Sequence, residues 1–205
     1  MAMQREHWIS LEEYHEIERN SEIKYEYSNG RIYNMSGATN DHNRIEVNLI
    51  LALGSHLRGN VCRVYPADMK VLPLGGENPS YYPDITVTCN PEDYEIGSLT
   101  AIRSPRLIIE ILSRSTASKD RGEKLQVYKA CKSCEEYALI STHHQEIVVH
   151  RRMRTGEWRT VQYIAGDLLQ LVSVSFAMPV SEVYADTAIP PLAPVRSNKK
   201  IKEID

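Results

Sequence analysis

The chain has 205 residues, 42% hydrophobic and 25% charged, enough for one domain with a real core. A net charge of −3 excludes a protein that coats nucleic acid through bulk charge, so any nucleic-acid contact must come from a local basic face. No apolar run approaches the roughly 20 residues of a membrane helix. The start, Met1-Ala-Met-Gln-Arg-Glu-His-Trp8, lacks the apolar stretch of a signal peptide, which predicts a cytoplasmic protein with no membrane partner.

The spacing predicts a first helix over 10–19, with Ser10 as N-cap and Glu13 completing a capping box. Lys24 to Met35 alternates around Asn29-Gly30, a strong hairpin signal. Ile45, Leu49, Leu53 and Leu57 recur at four-residue steps and predict an amphipathic helix over 42–58. Strands are expected at 61–72, 82–88, 107–113 and 136–141, with a helix from Lys119 to Lys132 between the last two. A second hairpin, Glu146–Arg152 and Trp158–Tyr163, flanks Arg154-Thr-Gly-Glu157. From Ala188 the chain is Pro-rich and then basic, so 1–187 reads as a single domain and 188–205 as a tail. The order predicts an α/β (α+β) domain around a mixed sheet.

Four cysteines are too few for a secreted disulfide scaffold and fit the cytoplasm. Cys131-Lys-Ser-Cys134, followed by His143 and His144, has the ingredients of a zinc knuckle. Its spacing is irregular, so these two thiols are expected reduced and metal-free.

Two carboxylates stand out. Asp84 opens the apolar run Tyr81-Tyr-Pro-Asp-Ile-Thr-Val-Thr88, and Glu110 interrupts Pro105-Arg-Leu-Ile-Ile-Glu-Ile-Leu-Ser113. A carboxylate buried in a strand must be paired or hold a metal. Two on neighbouring strands can share one Mg²⁺, which takes oxygen ligands and often only one or two carboxylates. Their carboxyl groups should then lie about 4–6 Å apart, given ligand distances near 2.1–2.5 Å. A lysine close by would suggest phosphodiester hydrolysis, and Lys124 is the candidate. The competing readings are a turn carboxylate for Asp84, a structural ion pair for Glu110 and a solvated helix lysine for Lys124. Asp68 and Lys70 share a face if their strand alternates, either toward a cleft or paired within the sheet. Lys119, Arg121, Lys124, Lys129 and Lys132 outnumber Asp120 and Glu123, giving a local surface suited to phosphates. There is no Gly-rich phosphate loop, no G-x-S-x-G elbow and no zincin motif.

In order along the chain stand Tyr25-Glu-Tyr-x-Asn-Gly30, Met35-Ser-Gly-Ala-Thr-x-x-His42, Asp68-Met-Lys-Val71, Tyr81-Tyr-Pro-Asp-Ile-x-Val87, Glu110-Ile-Leu-Ser-x-Ser-Thr116, Asp120-Arg-x-x-Lys124 and Tyr128. This order resembles the Uma-type restriction endonuclease family of the PD-(D/E)XK nuclease superfamily, from about Tyr14 to Val183. The resemblance implies a restriction-endonuclease-like core and a metal-dependent endonuclease acting on DNA, using Mg²⁺ or Mn²⁺ and working as a homodimer. It makes Asp84 and Glu110 the metal acids. The superfamily's lysine two positions past the second acid is replaced by Leu112, and the matching lysine is Lys124 on the next helix, one turn after Asp120 and one before Tyr128. It also places His42 at the start of the long helix, beside the metal or a phosphate, with Glu46 one turn on as an accessory acid. The second reading is a nuclease-fold module of weak or no activity that binds nucleic acid or protein.

Overall fold

Pro105–Leu112 is apolar on both faces apart from Arg106 and Glu110, because it is a central strand covered on both sides. Leu107, Ile109 and Ile111 enter one hydrophobic core, and Ile108 and Leu112 the other. The computed structural model describes residues 8–35, 37–76, 78–94 and 101–192. Residues 1–7, Ser36 of the histidine motif and the basic part of the expected tail, 193–205, lie outside the described residues.

The elements in chain order are α1 (Leu11–Asn20), β1 (Tyr25–Ser28), β2 (Arg31–Asn34), α2 (Asn40–His56), β3 (Arg63–Pro66), β4 (Lys70–Val71), β5 (Ile85–Thr88), β6 (Ala101–Ile102) and β7 (Pro105–Leu112). Then come α3 (Ala117–Lys119), a π-helical turn (Asp120–Lys124), α4 (Leu125–Ala130), β8 (Glu136–Ser141), β9 (Glu146–Arg152), β10 (Trp158–Ile164), β11 (Leu168–Leu171), β12 (Phe176–Pro179) and α5 (Val180–Val183). Six strands form the main sheet in the order β10-β9-β8-β7-β5-β3. It is mixed: β7 and β8 run parallel, joined by the helical crossover, and the other neighbours are antiparallel. The mixed α+β core with a hairpin near its N-terminus is the predicted class.

Ile45, Leu49 and Leu53 of α2 pack on one face of the sheet together with residues from β11, β12 and α5. Leu125 and Tyr128 cover the other face with Tyr81, Tyr137, Cys131 and Cys134. The Ser10–Glu13 capping box forms as the sequence dictates. Asn29 and Gly30 both have positive φ (50° and 75°), the backbone an Asn-Gly hairpin turn requires.

Three expectations change. The strand expected over 61–72 is broken, because Pro66 cannot donate to a ladder and Pro66-Ala-Asp-Met69 closes a turn through the Met69 N–H and the Pro66 carbonyl. Residues 63–66 stay in the main sheet, whereas Lys70–Val71 pairs in parallel with Ala101–Ile102 outside it. The expected helix over 119–132 starts at Ala117, ends at Ala130 and contains the π turn. Cys62 and Cys89, flanking β3 and β5, are joined as a disulfide rather than left as thiols, because the Arg63–Thr88 register puts them opposite each other. Cys131 and Cys134 are buried free thiols of the core. Among the described residues no helix is long and apolar enough to cross a membrane.

Candidate active site

Continuing the Ile85–Ile109 pairing by one residue sets Asp84 opposite Glu110 at the entrance of β5. Directly opposed residues of an antiparallel pair share a face. Both Asp84 oxygens are fixed. Oδ2 accepts the Ile111 N–H at 2.6 Å, and Oδ1 lies 3.0 Å from His42 Nε2. His42 is delivered by the start of α2, where the Thr39 side chain caps the His42 N–H. Burial pulls the His42 pKa down, but the hydrogen bond to Asp84 and its charge outweigh that and raise it.

Glu110 is buried and receives the Lys124 ammonium, Nζ to Oε1 at 2.9 Å. Lys124 is only 4% exposed and has two further carboxylates in reach: Glu26 Oε1 at 2.8 Å and Asp120 Oδ1 at 3.3 Å. Burial opposes the lysine's charge, yet Glu110, Glu26 and Asp120 together hold its pKa well above the usual range. Glu110 moves the other way from an ordinary carboxylate. Its burial, with the charges of Asp120, Asp84 and Glu26, pushes its pKa well up against the pull of Lys124. Asp120 is raised too, by burial first, and its Oδ1 has no hydrogen-bond donor. The π turn carries Asp120 and Lys124 inward together; such turns inside helices recur at functional sites.

Glu46 lies beside this group, half-buried, its pKa raised by burial and then by Asp84. Asp68 and Lys70 are drawn elsewhere: Lys70 pairs with Glu18 of α1, and exposed Asp68 pairs with Lys24 at 2.6 Å. The turn at 66–69 breaks the alternation that would have aligned them. Tyr128 is fully buried among Tyr81 and Tyr137, its hydroxyl without a hydrogen-bond partner. The basic helix surface is smaller than its sequence, since Lys119 and Lys124 turn inward to carboxylates.

Sequence reasoning missed Glu26 as a member of this cluster. It sits in β1, buried, joined to Lys124 and to Lys119 at 2.9 Å, and it accepts the Tyr82 N–H at 3.2 Å. The two lysines lower its pKa against the upward push of burial. The signal was present: a carboxylate inside Tyr25-Glu-Tyr27, the same anomaly that singled out Glu110. The hairpin therefore functions as one wall of the cluster.

Asp84, Glu110, Glu26, Asp120 and Glu46 outnumber the two inward-facing lysines, an imbalance that a divalent cation would offset. Among the described residues no group of three or more His, Cys, Asp and Glu side chains is arranged to hold a metal. Asp84 and Glu110 are the hard oxygen donors that Mg²⁺ or Mn²⁺ prefers, and here both Asp84 oxygens and Glu110 Oε1 take donors from Ile111, His42 and Lys124.

The family described as "Uma2: Putative restriction endonuclease" matches residues 11–181. "Uncharacterized protein slr1290" of Synechocystis sp. (strain PCC 6803) is 34% identical over 180 residues, covering 88% of this chain and 93% of its own. "Uncharacterized protein sll1609" of the same organism is 27% identical over 150 residues, covering 73% and 84%. A crystal structure described as a putative nuclease belonging to DUF820 from Anabaena variabilis ATCC 29413 superposes with a TM-score of 0.69 at 19% identity, over 86% of this chain and 97% of that one; it shares the fold.

Proposed function

The chain belongs to the Uma2 family, and we propose that this member is a metal-dependent endonuclease that hydrolyses phosphodiester bonds of DNA. Family membership and the nuclease-like fold support nuclease-like function in general. The observation that carries the finer reading is the Lys124–Glu110 contact at 2.9 Å, with Asp84 opposite Glu110. A lysine from the next helix thereby reaches the second acid, where Leu112 leaves the strand without one.

Asp84 and Glu110 are the residues that would hold Mg²⁺ or Mn²⁺. Such a cation, when bound, polarises the scissile phosphate and acidifies a water nucleophile. The Ile111 N–H and His42 fix the two oxygens of Asp84, so its orientation is set before substrate arrives. Lys124 holds Glu110 in place and keeps a positive charge beside the site as negative charge grows on the phosphate. The raised pKa of His42, held by Asp84, supports a role as proton donor to a phosphate or leaving-group oxygen. A two-fold homodimer would present two such sites to the two strands of a duplex.

One observation favours the second reading, a nuclease-fold module that binds without efficient cleavage. Lys124 Nζ lies 2.8–3.3 Å from three carboxylates, so its charge is already balanced within the protein.

A cleavage time course on supercoiled plasmid with Mg²⁺ or Mn²⁺ separates the readings. The nuclease reading predicts nicking that Asp84→Ala abolishes and that Lys124→Ala slows by roughly 10²–10³-fold, the loss typical of one transition-state-stabilising group. Lys124→Arg should not restore full rate, since a planar guanidinium presents its donors differently. Metal-independent nicking, or a fully active Lys124→Ala enzyme, would contradict it.

A further inference from the structure

A cavity of about 320 Å³ lies outside the acidic cluster, at the Asn29-Gly30 end of the β1–β2 hairpin. Two aromatic rings line it, Trp8 and Tyr33, together with Arg31, Ser28, Asn29 and Glu123. Trp8 is 68% exposed, an unusual placement for so large an apolar surface. One face of its indole rests on Gly30, where any Cβ would overlap the ring, and the Ile9 N–H donates to the Gly30 carbonyl beside it at 2.9 Å. The indole is thus seated on backbone. The Lys119 ammonium lies over the Tyr33 ring, 3.3 Å from its centroid.

The cavity shares walls with the catalytic cluster. The Tyr81 hydroxyl donates to Glu123 at 2.9 Å and lies 3.3 Å from the Ser28 hydroxyl, both cavity residues. The same Tyr81 ring has Lys124 Nζ 5.4 Å and Lys119 Nζ 5.3 Å from its centroid. Ser28 is two residues from Glu26 on β1 and shares its face, and Glu123 immediately precedes Lys124.

We propose that this cavity is a subsite for one unpaired nucleobase of the nucleic-acid strand whose phosphodiester lies at the acidic cluster. The inference rests on the nuclease reading for the identity of the strand. The chemistry recognised is a flat π-face offered to Trp8 and Tyr33, with Asn29, Ser28 and Glu123 supplying polar partners for the base edge and Arg31 a positive charge for a phosphate. Base–aromatic stacking tolerates any base. The subsite therefore selects unstacked, single-stranded or frayed nucleic acid over closed duplex, without reading sequence.

The test is binding measured by fluorescence anisotropy in EDTA, so that cleavage plays no part. The probes are a labelled 12-mer oligothymidylate, the same strand carrying abasic sites, and a blunt duplex of equal length. Wild-type protein should hold the base-bearing strand more tightly than the abasic strand or the duplex. Trp8→Ala should lose roughly 5–150-fold in affinity for it, the range for one stacked base, while leaving abasic binding unchanged. Trp8→Phe should recover most of the loss. Trp8 is exposed, so an unaltered melting temperature is expected and separates lost stacking from lost folding. Equal binding of base-bearing and abasic strands, or a Trp8→Ala protein that binds like wild type, overturns the subsite. Stacking-dependent binding without any cleavage on adding Mn²⁺ would uphold the subsite and contradict the nuclease reading instead. Cleavage with no dependence on Trp8 would do the reverse.

Discussion

Lys124 Nζ lies within 3.3 Å of three buried carboxylates, so removing it leaves Glu26, Glu110 and Asp120 facing one another in the protein interior. Breaking a buried ion network by deleting one partner typically costs about 3–5 kcal/mol. Lys124→Ala should therefore melt roughly 6–20 °C below wild type in EDTA, by the usual scaling for a chain of this size. Added Mn²⁺ should narrow the gap, because a cation replaces the missing charge; a thermal scan with and without Mn²⁺ reads both. Glu110→Gln should do the opposite at neutral pH. The folded protein raises the Glu110 pKa, mainly by burial, so folding is penalised once the carboxyl ionises in the unfolded chain. The penalty is absent below the unfolded pKa and grows as pH rises toward the folded one. The melting advantage of Glu110→Gln should accordingly be nil in acid and increase with pH, while cleavage is lost. A constant difference across pH would show that ionisation of Glu110 does not limit stability. Asp84 and Glu110 stood out in the sequence because a carboxylate in an apolar strand is anomalous by itself, whereas Lys124 was marked by the family resemblance. Glu26 carried the same anomaly in a shorter strand. Its role depended on a hairpin docking against a helix some 90 residues on, a non-local event that local spacing does not encode.

At the scale of elements, two devices position the cluster. The first is the π turn over Asp120–Lys124, which a sequence pattern of helical period cannot distinguish from α-helix. The second is the join of the outer strand β3 to β5 by Cys62–Cys89, whose sequence separation is 27. Asp84 immediately precedes β5, so slack in that strand pair reaches the site. Closing a loop of that length stabilises by about 3–4 kcal/mol in the chain-entropy account. Cys62→Ser, or dithiothreitol on wild type, should lower the melting temperature by roughly 6–16 °C, and the variant should be insensitive to reductant. Identical melting curves with and without reductant would place the disulfide outside the stability of the fold. Pairing of these cysteines was not readable beforehand. It follows from the Arg63–Thr88 strand register, which alternation alone did not show. The capping box, the Asn-Gly hairpin and the Leu/Ile stripe of α2 were readable, because each rests on contacts within a few residues.

Across the whole molecule, a chain of net charge −3 concentrates five carboxylates around two inward lysines at one end of a mixed sheet. That concentration disfavours a bare site, and it attracts a divalent cation more than it attracts nucleic acid. Phosphate binding therefore depends on the cation first and on the aromatic cavity and remaining basic surface second. Seating of the scissile phosphate at the cluster therefore follows metal binding, whereas a base can stack in the aromatic cavity without it. The central claim is that Asp84 and Glu110 form a real cation site, and Mn²⁺ titration by calorimetry on metal-free protein tests it most directly. Wild type should take up Mn²⁺ saturably at one site, Lys124→Ala should bind as well or better, and Asp84→Ala should show no saturable heat. A wild-type protein without saturable uptake, or an Asp84→Ala protein that binds as wild type does, would contradict the account.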